Sequence, residues 1–398
     1  MVFEPAQNPD ALRGDWSYPT AIRFGPGRIA ELPDVCRSLG ITHPLLVTDP
    51  GLSALPIVRE AVAHNEDAGL STAVFSDLRS NPVRANVDAG VAMYRAAGHD
   101  GVIGFGGGSA LDVAKVIALL AHPSAFDWDG NGTEKQIPAE AVAPVIAVPT
   151  TAGTGSEVGR AAVVTYGGVK KILLHPRMMP RAVIADPQLT LSLPPHLTAW
   201  TGMDALAHCL EAYCGAFYHP MADGIALEGL RLIHTWLPVA VREGDNLVAR
   251  AHMMAAATMG AAAFQKALGA VHALSHPLGA VYDLHHGLTN AVVMPYVLVL
   301  NRPAIEEKMA LLARFLNLPD EGFEAVLDWI LDLRRTLDIP HTLAELGIEA
   351  DQLEALAIQA AADPNAEENP VPVDAVVLAQ CYRDAMAGRV IRDRITRR

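Results

Sequence analysis

Cysteine is scarce in this chain, with four residues in 398 and no CxxC pair. The four are scattered along the sequence: Cys36, Cys209, Cys214 and Cys381. So few cysteines exclude a disulfide framework of the kind that holds small secreted domains together. We expect the thiols to be small buried hydrophobic groups in a reducing compartment.

Long apolar runs and an excess of positive charge are also missing. The apolar run at 291–300 contains Pro295 and falls well short of the roughly 18 residues that a membrane span needs. The N-terminus lacks the basic and apolar regions of a signal peptide. Asp and Glu outnumber Lys and Arg by 44 to 30, which argues against binding to nucleic acid. We expect a cytoplasmic protein without a membrane or nucleic-acid partner.

The composition nevertheless supports a large folded core. With 51% hydrophobic residues, the chain buries enough apolar surface to exclude disorder. One core rarely grows past about 250–300 residues, so a chain of this length predicts two domains.

The sequence pattern changes near the middle of the chain. Up to about residue 186, short apolar strands alternate with amphipathic helices, which is typical of a parallel sheet covered on both faces. The strands are predicted at 45–48, 72–75, 102–105 and 145–148, and the helices near 52–66, 84–97 and 110–121.

After residue 189 the strand pattern stops, and long segments rich in Ala, Leu and Met predict helices that pack on one another. These segments are 196–214, 220–242, 246–268, 303–315, 321–338 and 372–387. We therefore expect an α/β domain with a mostly parallel sheet over 1–188 and an all-helical domain over 189–398. The proline-rich segment 186–195 would separate them.

A glycine-rich segment, 104–112, follows the third predicted strand and begins a helix. Glycines allow the backbone to approach an anion closely, and a helix N-terminus attracts negative charge. Ser109 and Asp112 have the spacing of a capping box. The pattern departs from the usual dinucleotide fingerprint because a serine replaces the third glycine. A tight structural turn without a ligand is the alternative.

Two further segments favour a bound ligand. The segment 149–157 offers hydroxyl groups and two glycines at the end of a strand, where open α/β sheets bind ligands. Asp49 ends the first predicted strand, where its carboxylate could accept hydrogen bonds from a ribose and disfavour NADP. A plain Thr-rich loop and an ordinary turn aspartate are the alternatives.

Carboxylate and imidazole groups cluster in the second half of the chain. The candidates are Asp204, His208, His272, His276, His285 and His286. Spacing of i, i+4 places Asp204 with His208, and His272 with His276, on one face of a helix. One carboxylate with imidazoles from separate helices suits Zn²⁺ or Fe²⁺. Spacing alone does not decide which histidines bind.

Five motifs together resemble the iron-containing (group III) alcohol dehydrogenases over essentially the whole chain. They are GGGSALDVAK (106–115), PTTAGTGSE (149–157), DALAHCLEAY (204–213), GAVHALSHPLGA (269–280) and HGLTNAVVMP (286–295). The resemblance implies a dehydroquinate-synthase-like fold, with a nucleotide-binding α/β domain and a helical metal domain, often as a homodimer. It also implies hydride transfer between NAD and a small alcohol or aldehyde, assisted by Fe²⁺ or Zn²⁺.

The resemblance also implies roles for individual residues. The implied metal ligands are Asp204, His208, His272 and His286, which leaves His276 as a proton relay near the nicotinamide. The implied cofactor contacts are Asp49, Asn81, Gly106, Gly107, Gly108, Ser109, Asp112, Thr150, Thr151, Thr154, Lys171 and Leu189. Asp49 matches an acid that favours NAD over NADP.

The substrate is less well defined by the sequence. Arg160 occupies a position where the family commonly has small or polar residues, and it could pair with the carboxylate of a hydroxy acid or semialdehyde. An arginine bound to a local carboxylate or to solvent is the alternative. Ala263 and Phe264 are expected near the pocket. Two other functions are considered, a dehydroquinate-synthase-like lyase and a non-catalytic nucleotide or metal sensor.

Overall fold

The computed structural model describes residues 18, 20–121 and 142–392, and these residues form eight strands and fourteen α-helices. They divide into two compact units. One comprises Tyr18–Leu193 with Asp245–Met254, and the other Pro194–Gly244 with 255–392. The domain boundary at residue 188 stays a prediction, and the N-terminal segment without a signal-peptide pattern lies outside the described residues.

The first unit is an α/β structure. Its strands are β1 (Ala21–Phe24), β2 (Pro44–Val47), β3 (Ala73–Phe75), β4 (Gly101–Gly106), β5 (Val145–Pro149), β6 (Ala161–Tyr166), β7 (Val169–Leu174) and β8 (Ala182–Ala185). Its helices are α1 (Leu32–Ser38), α2 (Pro50–Ser53), α3 (Pro56–Asp67), α4 (Arg84–Ala97) and α5 (Gly108–Leu120).

Six strands form a fully parallel sheet in the order β1-β8-β5-β4-β2-β3. Successive side chains point to opposite faces, so Leu45 packs into one hydrophobic cluster and Leu46 into the other. Helices α4 and α5 contribute to the first cluster, and α1 and α3 to the second. Burial on both faces explains why β2 and β4 are continuous apolar runs.

Strands β6 and β7 form a separate antiparallel hairpin. The sequence patterns predicted neither this hairpin nor the strands β1 and β8. The prediction of a mostly parallel α/β sheet followed by a helical region is confirmed.

The second unit is helical. Its helices are α6 (Pro195–Cys214), α7 (Pro220–Arg242), the C-terminal half of α8 (Leu247–Ala263), α9 (Ala270–Tyr282), α10 (His286–Phe315), α11 (Gly322–Thr336), α12 (Leu353–Ala361), α13 (Pro364–Glu367) and α14 (Ala375–Ala387). Helix α10 runs through Pro295 and Pro303, so the helix predicted at 303–315 is only its second half. Within the described part of the chain, no helix combines the length and apolar character of a membrane span.

Candidate active site

In the α/β unit, the polar and glycine-rich segments gather at the carboxyl ends of neighbouring strands. Asp49 follows β2. The three glycines Gly106–Gly108, called the glycine turn below, lie at the end of β4, the strand paired with β2. The chain leaves β2 toward β3 on one side and β4 toward β5 on the other, so the strand order reverses between β2 and β4. Such a reversal is where open α/β sheets bind ligands.

The glycine turn has no room for side chains. Gly106 has a φ of 153°, and a Cβ there would lie 2.8 Å from the Cβ of Ala110. A Cβ on Gly108 would lie 2.6 Å from Cγ2 of Thr154. Because the turn carries no side chains, an anion can approach the amides at the start of α5. This geometry fits the pyrophosphate of a dinucleotide.

Two sequence-predicted contacts border this turn. The hypothetical Cβ of Gly107 lies 3.3 Å from Thr151, and that of Gly106 lies 3.7 Å from Oδ2 of Asp49. Oδ1 of Asp49 accepts a hydrogen bond from the Leu52 amide and caps α2. The structure therefore brings the Asp49 carboxylate close to Gly106 and the Thr151 side chain close to Gly107.

The capping box predicted for Ser109 and Asp112 is wrong. Helix α5 has Gly107 as its N-cap without a side-chain hydrogen bond, and the Ser109 hydroxyl donates to the Ser80 carbonyl at 2.5 Å. The Asp112 carboxylate accepts instead from the Ser156 hydroxyl and the Val163 amide, at 2.5 and 2.8 Å. Asp112 therefore ties α5 to β6 and to the loop after β5.

Lys115, which is buried on α5, also holds this helix against the loop after β5. Its ammonium group lies 3.2 Å from Asp112 and donates to the Ser156 hydroxyl at 2.6 Å. Burial lowers the pKa of Lys115, and the Asp112 carboxylate opposes that effect. The buried pair fixes the loop against which the glycine turn packs.

The other predicted cofactor residues have different surroundings. Thr150 is buried and Asn81 half-buried. Leu189 packs within the hydrophobic cluster of the sheet. The Lys171 ammonium lies 5.0 Å from the centre of the Tyr166 ring. Arg160 is exposed and forms no ion pair with a described carboxylate.

In the helical unit, Asp204 and His208 lie one turn apart on α6. Together with His272 on α9, they offer ligand atoms that all lie within 4.8 Å of one another. All three residues are buried. The i, i+4 spacing thus places two side chains beside a histidine from another helix, as the sequence predicted.

His286, the first residue of α10, lies against the same group. Its Nε2 is 3.6 Å from Oδ1 of Asp204, and its Nδ1 is 3.1 Å from the Ser275 hydroxyl. A Cβ on Gly287 would lie 2.1 Å from the Trp200 carbonyl. Only glycine therefore allows α10 to approach α6 closely enough for this contact.

The donor set fits a divalent cation. A tetrahedral site with bonds near 2.1 Å separates its ligand atoms by about 3.4 Å. The Asp204 oxygen lies 3.8 Å from His208 Nε2 and 3.6 Å from His286 Nε2. Asn290 donates to Asp204 at 2.8 Å, and its own Oδ1 is buried without a partner among the described residues. One carboxylate and three imidazoles suit Fe²⁺ and Zn²⁺.

His276 lies beside these four candidate ligands, but its ring contacts a carboxylate outside that set. Its Nδ1 lies 2.6 Å from the Asp363 carboxylate, and its ring stacks on His286 at 5.3 Å. Burial raises the pKa of Asp363, but the hydrogen bond and charge of His276, the Asn365 amide and the charge of His272 together leave that pKa below its ordinary value. His285 packs on Trp200 at 5.2 Å between ring centres.

The two residues expected near the pocket differ in exposure. The Phe264 ring lies 5.1 Å from the His208 ring, edge to face, while Ala263 is fully buried. Phe264 therefore lies against the candidate ligand His208, and its place in a substrate pocket stays a prediction.

Three buried polar residues beside the cluster were missed in the sequence analysis. Glu211 contacts His272, Asn290 contacts Asp204, and Asp363 contacts His276. Helical spacing could have indicated two of them, since Glu211 follows Asp204 by seven residues and Asn290 follows His286 by four. Asp363 is 87 residues from His276, and no local pattern points to it.

Comparisons with known proteins agree with the motifs. A family profile described as iron-containing alcohol dehydrogenase matches residues 19–187. A second, for the C-terminal region of the Fe-containing alcohol dehydrogenase family, matches 198–386. The 4-hydroxybutyrate dehydrogenase of Cupriavidus necator is 41% identical over 93% of this chain and 99% of its own length.

Solved structures give the same result. A 1,3-propanediol oxidoreductase superimposes with a TM-score of 0.90 at 35% identity, over 94% of this chain and all of the other. The sulfoacetaldehyde reductase of Bifidobacterium kashiwanohense, solved with NAD⁺, gives 0.85 at 31% identity, covering 94% and 99%. These relatives favour the dehydrogenase function over the lyase and sensor alternatives. The chain belongs to the iron-containing alcohol dehydrogenase family, whose members are oxidoreductases acting on CH–OH groups with NAD and a divalent metal.

Proposed function

We propose that this dehydrogenase interconverts short ω-hydroxy acids and their semialdehydes, using NAD and Fe²⁺ or Zn²⁺. The cluster of one carboxylate and three imidazoles on α6, α9 and α10, buried except for the partly exposed His286, carries the proposal for the reaction. The similarity to a 4-hydroxybutyrate dehydrogenase and the exposed Arg160 support the acidic substrate.

We assign the cation to four ligands, Asp204, His208, His272 and His286. When bound, the cation supplies Lewis acidity to the substrate oxygen, and NAD accepts or donates the hydride. Burial of Asp204, His208 and His272 excludes water from their side of the site, and Phe264 against His208 limits the space beside them.

His276 would carry the alcohol proton. A carboxylate only accepts hydrogen bonds, so the contact with Asp363 places the imidazole proton on Nδ1. Nε2 is then the unprotonated nitrogen and can accept the proton of a substrate hydroxyl. Asp363 keeps the ring in this orientation.

The glycine turn would hold the pyrophosphate of NAD. We assign this role to Gly106, Gly107, Gly108 and Ser109, with Thr150, Thr151 and Thr154 beside the nicotinamide and phosphate. Asp49 would bind the adenosine ribose and disfavour NADP. We assign further contacts with NAD to Asn81, Lys171 and Leu189. For Asp112, we propose an indirect role through Ser156 and β6.

The test is a panel of alcohols and aldehydes assayed with NAD(H), NADP(H), Fe²⁺ and Zn²⁺ by NADH absorbance. We expect the highest kcat/KM with a short ω-hydroxy acid or its semialdehyde, and a preference for NAD. Accumulation of NADH also distinguishes a dehydrogenase from a lyase that uses NAD transiently. Equal kcat/KM for acidic and neutral substrates would contradict the substrate proposal.

Replacing Arg160 with alanine is expected to raise KM for a semialdehyde by about 10- to 100-fold, because a charge-assisted hydrogen bond is lost. KM for a neutral aldehyde of the same length should change little. Arg177→Ala, in the turn after β7, is the matched control and should leave both values unchanged. Equal effects of Arg160→Ala on the two substrates would show that the guanidinium does not bind the carboxylate.

We further propose a homodimer in the cytoplasm. Strand β1 lies at the edge of the sheet, and Ile22 and Phe24 are 36% and 42% exposed. An edge strand offers backbone groups and apolar side chains to a second copy. The buried free cysteines agree with a reducing compartment. Sedimentation equilibrium should give twice the chain mass, and a monomer would contradict the proposed homodimer. Cell fractionation tests the proposed cytoplasmic location.

A further inference from the structure

The Glu211 carboxylate on α6 contacts the first turn of α9 at two points. One oxygen accepts the backbone N–H of Val271 at 2.7 Å. The other pairs with Nδ1 of His272. Glu211 is buried and shares the α6 face of Asp204 and His208. A single side chain thus links the helix of two candidate ligands to the ring of a third.

Neighbouring groups keep this contact in place. The Asn369 side-chain oxygen accepts the Ala270 N–H at 3.1 Å, and Asn369 and Asn301 exchange a reciprocal pair of amide hydrogen bonds. A Cβ on Gly269 would lie 2.9 Å from the Asn369 oxygen and 3.0 Å from Glu211. The start of α9 is therefore fixed between Glu211 on α6 and the Asn301–Asn369 pair, in which Asn301 belongs to α10.

We propose that Glu211 is a positioning residue that prepares His272 to bind the cation. The carboxylate accepts a hydrogen bond from the Nδ1–H group, which leaves Nε2 unprotonated and fixes the plane of the ring. Partners of this kind typically change metal affinity by about 10- to 100-fold when they are removed. The inference rests on the proposed ligand role of His272.

The substitution Glu211→Gln separates this role from simple capping of α9. Glutamine keeps the length of the side chain and can accept the Val271 N–H through its oxygen. Its NH₂ group would then face His272 Nδ1 and require that nitrogen to be unprotonated. The proton would move to Nε2, which would remove the lone pair that the cation needs. Glu211→Asp keeps the charge but is one methylene shorter.

The experiment uses full-length protein stripped of metal with a chelator and titrated with Co²⁺ alone. Affinity is measured by competition with a chromogenic chelator, and ligand geometry by the visible absorption of the bound Co²⁺. We expect Glu211→Gln to bind Co²⁺ about 10- to 100-fold more weakly with an altered spectrum. Glu211→Asp should restore part of the affinity, while the thermal unfolding of the metal-free Gln variant should stay close to that of the parent.

Glu368→Gln is the matched control. Glu368 is exposed and accepts the Leu268 N–H at 3.2 Å from the same segment before α9. This variant should bind Co²⁺ like the parent protein.

The outcomes distinguish a failure of the positioning role of Glu211 from a failure of the ligand assignment of His272. Parent-like affinity and spectrum in Glu211→Gln would overturn the positioning role, even if His272→Ala no longer binds Co²⁺. Parent-like binding in His272→Ala would instead remove His272 from the ligand set. Equal losses of affinity in Glu211→Gln and Glu368→Gln would also overturn the inference, because they would indicate a general effect on α9.

Discussion

Replacing Asp204 with alanine is expected to abolish metal binding and to lower kcat/KM for alcohol oxidation by at least about a thousandfold. Asp204 is the single carboxylate in the cluster and lies within 4 Å of Nε2 of both His208 and His286. Its loss leaves three neutral imidazoles, so the cation loses its one anionic ligand. Elemental analysis of the purified variant and steady-state kinetics measure the two effects.

The Asp204→Ala result needs a control for folding, since the residue is buried. His234→Ala is suitable because this histidine, on α7, packs on Trp329 outside the cluster. It should keep a full complement of metal. His272→Ala should lose metal as Asp204→Ala does. A full metal content in Asp204→Ala with parent-like circular dichroism would disprove the ligand assignment.

The second large effect is expected from His276→Ala, which should keep its metal but lose about 100- to 10,000-fold in kcat. The ring lies beside the cluster, and its Nδ1 is engaged by Asp363. Its proposed task is to move a proton, so kcat should fall more than the affinity for substrate changes. Metal content and the separate values of kcat and KM measure this prediction.

Asp363→Asn provides a matched variant for His276. The amide is the same size as the carboxylate but can no longer hold the ring solely as an acceptor, so we expect a smaller fall in kcat in the same direction. Metal content should remain full. Loss of metal in His276→Ala would place His276 among the ligands and contradict the proton-relay assignment.

Much of the fold followed from local patterns. The apolar runs at 45–48 and 102–105 predicted β2 and β4 because both strands are buried on the two sides of the sheet. The hairpin of β6 and β7 was missed because its strands are only partly buried and two lysines interrupt the apolar residues of β7. Helix α10 was predicted only over 303–315, whereas it continues through Pro295 and Pro303, a residue type that usually interrupts helices.

The candidate site, like the fold, was predicted only in part from local spacing. Helical spacing predicted that Asp204 and His208 share a face, and the structure places them together with His272. The spacing of Ser109 and Asp112 gave a wrong prediction. Tertiary partners replace the capping box, because Ser109 bonds to Ser80 and Asp112 bonds to Ser156 and to the Val163 amide. Local hydrogen bonds are lost when packing offers a buried group a better partner.

The sequence by itself determined the residue types of the cluster, the glycines of the turn and the change from alternating strands and helices to a helical second half. These features depend on local spacing, which fixes the face of a helix or the side of a strand. Only the tertiary structure decided which nitrogen of His272 and of His276 meets a carboxylate. Glu211 meets His272 across 61 residues, and Asp363 meets His276 across 87. Such pairings arise when separate helices pack and buried polar groups must find partners, and no local period in the sequence encodes them.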